Sequence, residues 1–267
     1  MEKVRLDRLV VAKGLATTRE KARRLVLAGE VLVNDRPMEK PGTFVDSESQ
    51  LRLRHPPAPF VGRGGVKLAG ALAVLELDVA RFQVLDVGAS TGGFTDCLLQ
   101  QGASEVTALD VGKAQIDWSL RSDPRVNVVE GVNARYLRRE DFPEGFDLVT
   151  IDVSFISLSK ILPAVTSLLR QGGKLLALVK PQFELSREDV ETGGVVRDPR
   201  KHLRALLSVF EASGECGLVV EAIVASPLKG VEGNREFFLL MEPEGTLQLD
   251  VDEEHFVQRA REVCGLE

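Results

Sequence analysis

Four ionisable residues of this chain fall where an apolar strand or helix begins or ends. Asp152 closes Phe146-Asp-Leu-Val-Thr-Ile-Asp152 and Lys180 closes Lys174-Leu-Leu-Ala-Leu-Val-Lys180, while Glu236 stands near the start of the last strand and Lys67 just ahead of the apolar stretch 68–75. Each has an ordinary explanation when taken singly, because a lysine at a strand end exposes its ammonium and an aspartate there caps the next helix. Two ammonium groups and two carboxylates at one edge are also the material of proton transfer and charge stabilisation. They would share that edge with Val84-Leu-Asp-Val-Gly-Ala-Ser-Thr-Gly-Gly-Phe94, an apolar run ending in a turn with three glycines. In an open α/β sheet such a turn lies at the carboxyl edge, where ligands bind.

Three ligands compete for the turn. Gly88-x-x-x-x-Gly93 is close to a phosphate loop, but Phe94 stands where that motif needs a lysine. A dinucleotide turn needs Gly-x-Gly-x-x-Gly, and the Cβ of Ser90 at its second glycine would crowd a pyrophosphate. S-adenosylmethionine suits Gly88-Ala-Ser-Thr-Gly-Gly better, since its carboxylate and amine can be held by turn backbone without a phosphate. Asp110 follows Gly88 at the usual spacing of about 20 residues, at the end of the next predicted strand, where a carboxylate accepts from two ribose hydroxyls. The expected cofactor contacts are Asp86, Gly88, Ser90, Gly92, Gly93 and Phe94 in the turn, Asp110, and Asp152. Asn133 after the third strand fits either an adenine contact or a loop cap.

The elements that must position these groups are legible as alternating strands and helices. Strands are predicted at 83–87, 105–110, 126–129, 147–152 and 174–180, with helical stretches at 93–101, 113–121 and 157–170, so a parallel sheet covered on both faces is expected. Residues 217–225 and 235–241 are two strands with no room for a helix between them, which forces the last strand antiparallel. Its start then lies at the same edge as the ends of the others. The segment 181–196, with Gly193-Gly194, reads as a lid or an RNA-facing loop, or as a plain surface loop.

Composition divides the chain. Residues 1–59 hold 12 Lys and Arg against 8 Asp and Glu, a net of +4 within a chain of −6, so a small basic module precedes a larger acidic one. Two short helices are predicted at 5–13 and from Thr17 or Thr18 to Ala28, with Arg5 and Arg8 off the apolar face of the first, Arg19, Arg23 and Arg24 outward on the second, and strands at 31–36 and 50–54 after them. His55-Pro-Pro-Ala-Pro59 is a linker stiffened toward polyproline II, which divides the chain into 1–54, 55–61 and 62–267. No apolar run approaches the ~20 residues of a membrane helix and the first residues lack a signal-peptide core, so a cytoplasmic protein is expected. Cys97, Cys216 and Cys264 lack metal or redox spacing and read as free thiols. No metal site is expected.

The run Arg5-Leu-Asp-x-x-Leu, Gly14-Leu-Ala-x-x-Arg19, Ala22-x-x-Leu25, Gly29-x-Val31-x-Val33-Asn34 resembles the S4 RNA-binding domain, which implies binding of structured RNA through Arg5, Arg8, Arg19, Arg23 and Arg24 by shape and phosphate contacts. The strand order resembles the Rossmann-like methyltransferase fold, and Lys67, Asp152, Lys180 and Glu236 follow the Lys-Asp-Lys-Glu order of FtsJ-class RNA 2′-O-methyltransferases. With the S4 module in front, nearly the whole chain resembles the hemolysin A/TlyA family of ribosomal RNA methyltransferases. The resemblance implies transfer of a methyl group from S-adenosylmethionine to a ribose 2′-hydroxyl of ribosomal RNA, with cytidine as acceptor and the ribosome or a subunit as partner. Lys180 is then the candidate base, Lys67 and Glu236 position hydroxyl and lysine, and Asp152 holds the charges and the cofactor side. Two other readings stay open: an RNA-binding assembly factor without turnover, and a membrane-active protein suggested by the hemolysin name.

Overall fold

The computed structural model of the chain describes residues 2–16, 18–55, 58–230, 232–245 and 253–266, which form two compact units, Met1–Ala58 and Pro59–Glu267. The division falls inside the proline-rich stretch. Pro56 and Pro57, on which the expected stiffening rests, lie outside the described residues.

The first unit runs β1 (Lys3–Arg5), α1 (Leu6–Ala12), α2 (Arg19–Leu27), β2 (Val31–Val33), β3 (Arg36–Pro37), β4 (Phe44–Asp46) and β5 (Leu51–Leu53). Thr18 caps α2 by accepting from the Lys21 N–H at 3.2 Å; Thr17, the other expected cap, is outside the described residues. Asn34 and Asp35 both take positive φ, the turn that lets β2 fold straight back onto β3, and β2 also pairs with β5. Leu6, Val10, Ala22, Val26, Val31 and Val33 make an aliphatic core. The antiparallel pair β1–β4 was not foreseen, since strands of three residues carry too little alternation to read.

The second unit runs α3 (Arg63–Leu75), β6 (Gln83–Val87), α4 (Gly93–Gln100), β7 (Glu105–Asp110), α5 (Trp118–Arg121), β8 (Val126–Glu130), β9 (Phe146–Ile151), α6 (Leu162–Thr166), β10 (Leu169–Val179), α7 (Pro181–Glu184), α8 (Pro199–Glu215), β11 (Leu218–Ala225), β12 (Phe237–Pro243) and α9 (Glu253–Cys264). One sheet has the order β11-β12-β10-β9-β6-β7-β8. It is the expected α/β sheet, mostly parallel, and β12 runs antiparallel to both its neighbours. The chain builds outward from β6 through β7 to β8 and then crosses back to β9, so β6 sits at the switch point and opens a crevice at its carboxyl end. Alternate residues face opposite layers: Leu175, Ala177 and Val179 meet α6, α8 and α9, while Leu176 and Leu178 meet α3 and α4.

Three expectations are corrected. The first helix begins at Arg63, so Lys67 lies within α3 and not ahead of it; Gly64 and Gly65 hide that turn because glycine disfavours helix. Only 118–121 of the predicted 113–121 helix forms, because Ala114 takes positive φ and the backbone N–H groups of Ala114 and Gln115 bond the Glu130 carboxylate, which they hold below its ordinary range. The stretch 157–170 breaks into a 3₁₀ turn, the five-residue α6 and the start of β10. Pro163 donates no N–H and is tolerated only in the first turn of α6.

Candidate active site

The glycine turn is built by two close approaches. Gly88 takes φ +85°, and a Cβ there would lie 2.5 Å from the Asp152 carbonyl oxygen, while the Asp152 N–H donates to Val87 O at 2.9 Å. The end of β9 is thereby laced to the turn after β6, which sets Asp152 at the crevice. A Cβ on Gly93 would stand 3.0 Å from the Gly65 nitrogen, so the first turns of α3 and α4 meet backbone to backbone and α3 carries Lys67 to the same edge. Gly92 takes φ +94°, which favours glycine, and the Leu120 side-chain end packs where a Cβ would stand. Asp110 Oδ2 accepts from the Ser90 N–H at 2.8 Å and Oδ1 from the Gly112 N–H at 2.7 Å, and each oxygen keeps a further lone pair.

Lys67, Asp152, Lys180 and Glu236 all line one cleft of about 710 Å³. They meet as two ion pairs. Lys67 Nζ donates to Glu236 Oε2 at 2.5 Å, and Lys180 Nζ lies 2.6 Å from Asp152 Oδ1. The second contact is a charge pair outside hydrogen-bond geometry, and Lys180 donates instead to Ser154 Oγ at 3.1 Å. Lys67, Lys180 and Glu236 are buried, and Asp152 is half-buried. Removing one partner of a buried pair strands the other charge at a cost of about 3–5 kcal/mol, so the pairs are structural as well as chemical.

Several lining residues were missed by the sequence reading. Phe155 is 92% exposed at φ +64°, a conformation costly for an aromatic residue, with its ring 5.1 Å from that of Phe183. Gln182 lines the cleft with a buried Oε1 that has no partner among the described residues. Ser154 follows Asp152 on the same loop. Their only signal was proximity to predicted strand ends. Glu184 ties α7 to the loop after β9 by accepting from Ser157 Oγ at 2.6 Å and the Leu158 N–H at 3.0 Å; burial raises its carboxyl. Asn234, 1% exposed, accepts from the Val196 N–H at 2.8 Å and donates to Gly194 O at 2.9 Å, while His202 Nε2 bonds Val196 O at 2.9 Å. The 181–196 segment is therefore fastened at both ends, with Gln182, Phe183, Val190 and Gly194 on the cleft wall.

Of the expected cofactor contacts, Gly88, Ser90, Gly93, Phe94 and Asp152 line this cleft. Phe94 is mostly core, with its ring 6.0 Å from Phe238. Asp86 does not line it: its carboxylate is fully buried, accepts from Thr95 Oγ1 at 2.7 Å and Thr150 Oγ1 at 3.1 Å, and ties β6 to α4 and β9. Burial pushes its carboxyl up to about 7. Asn133 takes the capping role, accepting from the Arg135 N–H at 3.1 Å. Among the described residues there is no cluster of three or more His, Cys, Asp or Glu able to hold a metal.

In the first unit Arg5 and Arg19 converge on Asp7, with Nε–oxygen distances of 3.1 and 3.0 Å. Their hydrogen bonds hold the buried Asp7 carboxyl down at about 2. Arg19, Arg23 and Arg24 frame a hollow on α2 with Glu20 and Leu27, and Arg8 is exposed on α1.

Comparison with known proteins agrees with both units. Residues 60–242 match the FtsJ-like methyltransferase family and residues 4–51 the S4 domain. The chain is 44% identical to the 16S/23S rRNA (cytidine-2′-O)-methyltransferase TlyA of Mycobacterium tuberculosis over 89% of each chain. It is 38% identical to hemolysin A of Brachyspira hyodysenteriae over 88% of this chain and 98% of that one. A solved structure assigned the hemolysin name from Streptococcus thermophilus superposes with a TM-score of 0.73 at 42% identity, over 98% of this chain and 96% of the other. A glycine turn at the switch point, two lysine–carboxylate pairs beside it and an S4 module ahead of it place this chain in the hemolysin A/TlyA family of FtsJ-like methyltransferases.

Proposed function

We propose that the protein methylates a ribose 2′-hydroxyl of ribosomal RNA, with S-adenosylmethionine as donor and a cytidine as acceptor. The observation that carries this reading is the convergence of Lys67–Glu236 and Lys180–Asp152 in one cleft with the Gly88 turn. The name of the relative TlyA supports rRNA and cytidine. The residues present fit the donor: the Gly88 turn lines the cleft with the Asp152 backbone drawn against it, Asp110 keeps lone pairs for a ribose diol, and the cleft volume suits a ligand of that size. When bound, the donor supplies an electrophilic methyl group on a sulfonium.

A hydroxyl is a weak nucleophile until its proton is taken. Once its ammonium proton has passed to water, Lys180 would accept the 2′-hydroxyl proton at Nζ as the oxygen–methyl bond forms and the carbon–sulfur bond breaks to leave a neutral thioether, and Asp152 would stabilise the renewed ammonium. Ser154 orients Nζ from the other side. Lys67, held by Glu236, supplies positive charge to the developing alkoxide. Phe155 offers an exposed ring face to the base of the accepting nucleotide, and the free Oε1 of Gln182 accepts from it or its sugar.

The test is incubation of ribosomal subunits with the protein and methyl-labelled S-adenosylmethionine, followed by mapping of the labelled nucleotide. Label on a cytidine 2′-oxygen is expected. Lys180→Ala should lose transfer while cofactor binding by calorimetry persists; turnover in that variant removes Lys180 from the mechanism. RNA binding with no label from any subunit would favour the assembly-factor reading. Among the described residues no helix is long and apolar enough to cross a membrane.

A further inference from the structure

Phe44 is the one Phe, Tyr or Trp in residues 1–55, and the fold leaves it 62% exposed although an aliphatic core lies beneath it. Its placement follows from strand register. In the β1–β4 pair, Arg5 stands opposite Phe44 and Lys3 opposite Asp46, with Val4 opposite Val45 between them. Directly opposed residues share a face of the ribbon. Val45 packs toward the core, so Lys3, Arg5, Phe44 and Asp46 form the outer face.

That face is rigid. The Leu6 N–H donates to Thr43 O at 2.8 Å and the Asp7 N–H to Pro41 O at 3.0 Å, fastening the approach to β4 onto the start of α1. Arg5 donates to both Asp7 oxygens and Arg19 to one of them, which fixes two guanidinium planes whose side chains remain 36% and 51% exposed. An uncovered ring opposite Arg5, with Lys3 on the same face opposite a half-buried Asp46 and Arg19 joined to Arg5 through Asp7, is complementary to a polyanion with accessible aromatic faces. Duplex RNA fits poorly, because its bases are already stacked and its major groove is closed to side chains. An unpaired loop nucleotide fits, since every base has a π-face and its flanking phosphates fall to the cations.

We propose that Phe44 is a stacking platform for an unpaired nucleobase, with Lys3, Arg5 and Arg19 at the adjoining phosphates, so that the first unit selects RNA containing unstacked loop nucleotides over continuous duplex. The proposal rests on the reading of this unit as an RNA-binding module. The full-length protein is titrated by fluorescence anisotropy, at one fixed salt concentration and without methyl donor, into two labelled RNAs of equal length, a hairpin with an unpaired loop and a blunt duplex. Phe44→Ala is expected to weaken hairpin binding about tenfold and to leave duplex binding unchanged. Phe44→Trp retains hairpin affinity, whereas Phe44→Leu, which keeps apolar bulk without a π-face, behaves like the alanine variant. Thermal unfolding of each variant confirms that the exposed position leaves the fold intact. Hairpin binding by Phe44→Ala equal to the parent, or an equal loss on both RNAs, overturns the stacking role alone; a parent that binds neither RNA overturns it together with the RNA-binding reading beneath it.

Discussion

Replacing Asp86 by Asn should make the second unit more stable above neutral pH, although it removes a carboxylate that accepts two hydrogen bonds. Asp86 is fully buried, and desolvation, with a smaller contribution from the Asp152 charge, lifts its carboxyl from 3.8 to about 7 against the opposing hydroxyls of Thr95 and Thr150. A raised acid binds its proton more tightly in the folded chain than in the unfolded one. The stabilisation is complete below about pH 4 and is lost as the pH rises through about 7. At 1.36 kcal/mol per unit, a shift of roughly three units is worth about 4 kcal/mol. Asparagine imitates the protonated side chain at every pH and keeps groups that can bond both threonines. Urea unfolding of parent and variant across the pH range is the assay. The gap between them should widen by roughly 3 kcal/mol from pH 5 to pH 8 in favour of Asn. Parallel pH profiles would refute the account and show that the two hydroxyls hold the carboxylate charged inside the core.

The other expectations follow from single contacts. Gly88→Ala places a Cβ at positive φ and against the Asp152 carbonyl, so it should cost more than about 1 kcal/mol and abolish methyl transfer by displacing Asp152; an active, normally stable variant would show that the turn yields. Asp7 is depressed to about 2 by Arg5 and Arg19, so the stability it gives the first unit is present above about pH 4 and lost as the pH falls through 2. Asp7→Asn should lack that acid transition when both are followed by circular dichroism. Asn234→Ala leaves the buried Val196 N–H without an acceptor and should lower stability by about 1–3 kcal/mol, with faster tryptic cleavage after Arg197. Unchanged proteolysis would mean that His202 alone fastens the segment.

The sheet was legible because its strands are apolar on both faces and end in charged residues. The antiparallel turn between β11 and β12 was enough to place Glu236 at the same edge as Asp152 and Lys180. What could not be read was which charge meets which. Lys67 and Glu236 are 169 positions apart, and their pairing depends on a glycine contact between α3 and α4 that only three-dimensional packing creates. Asp86 sits in the motif that marks the cofactor turn, yet the alternation of β6 points it inward, where it serves the scaffold. Phe155 and Asn234 carry no periodic signal because they stand on irregular backbone, and Gln182 carries none because α7 is only four residues long. The reading of 157–170 as one helix failed for the opposite reason: its apolar spacing is helical, but Pro163 and the strand pairing of Leu169 with Phe146 divide it.

The place of β12 between β10 and β11 also has a consequence for how the protein is made. Lys67 leaves the ribosome early, but its counter-charge arrives only with residue 236, immediately before a strand that must insert between two others. Until then β10 has an open edge toward the missing strand, and the buried ammonium of α3 has no partner. Contacts of such long sequence separation form late. The parallel strands β6 to β10 and the glycine turn can therefore be in place in a nascent chain whose candidate cleft still lacks Glu236, and that cleft is completed in the same step that closes the sheet.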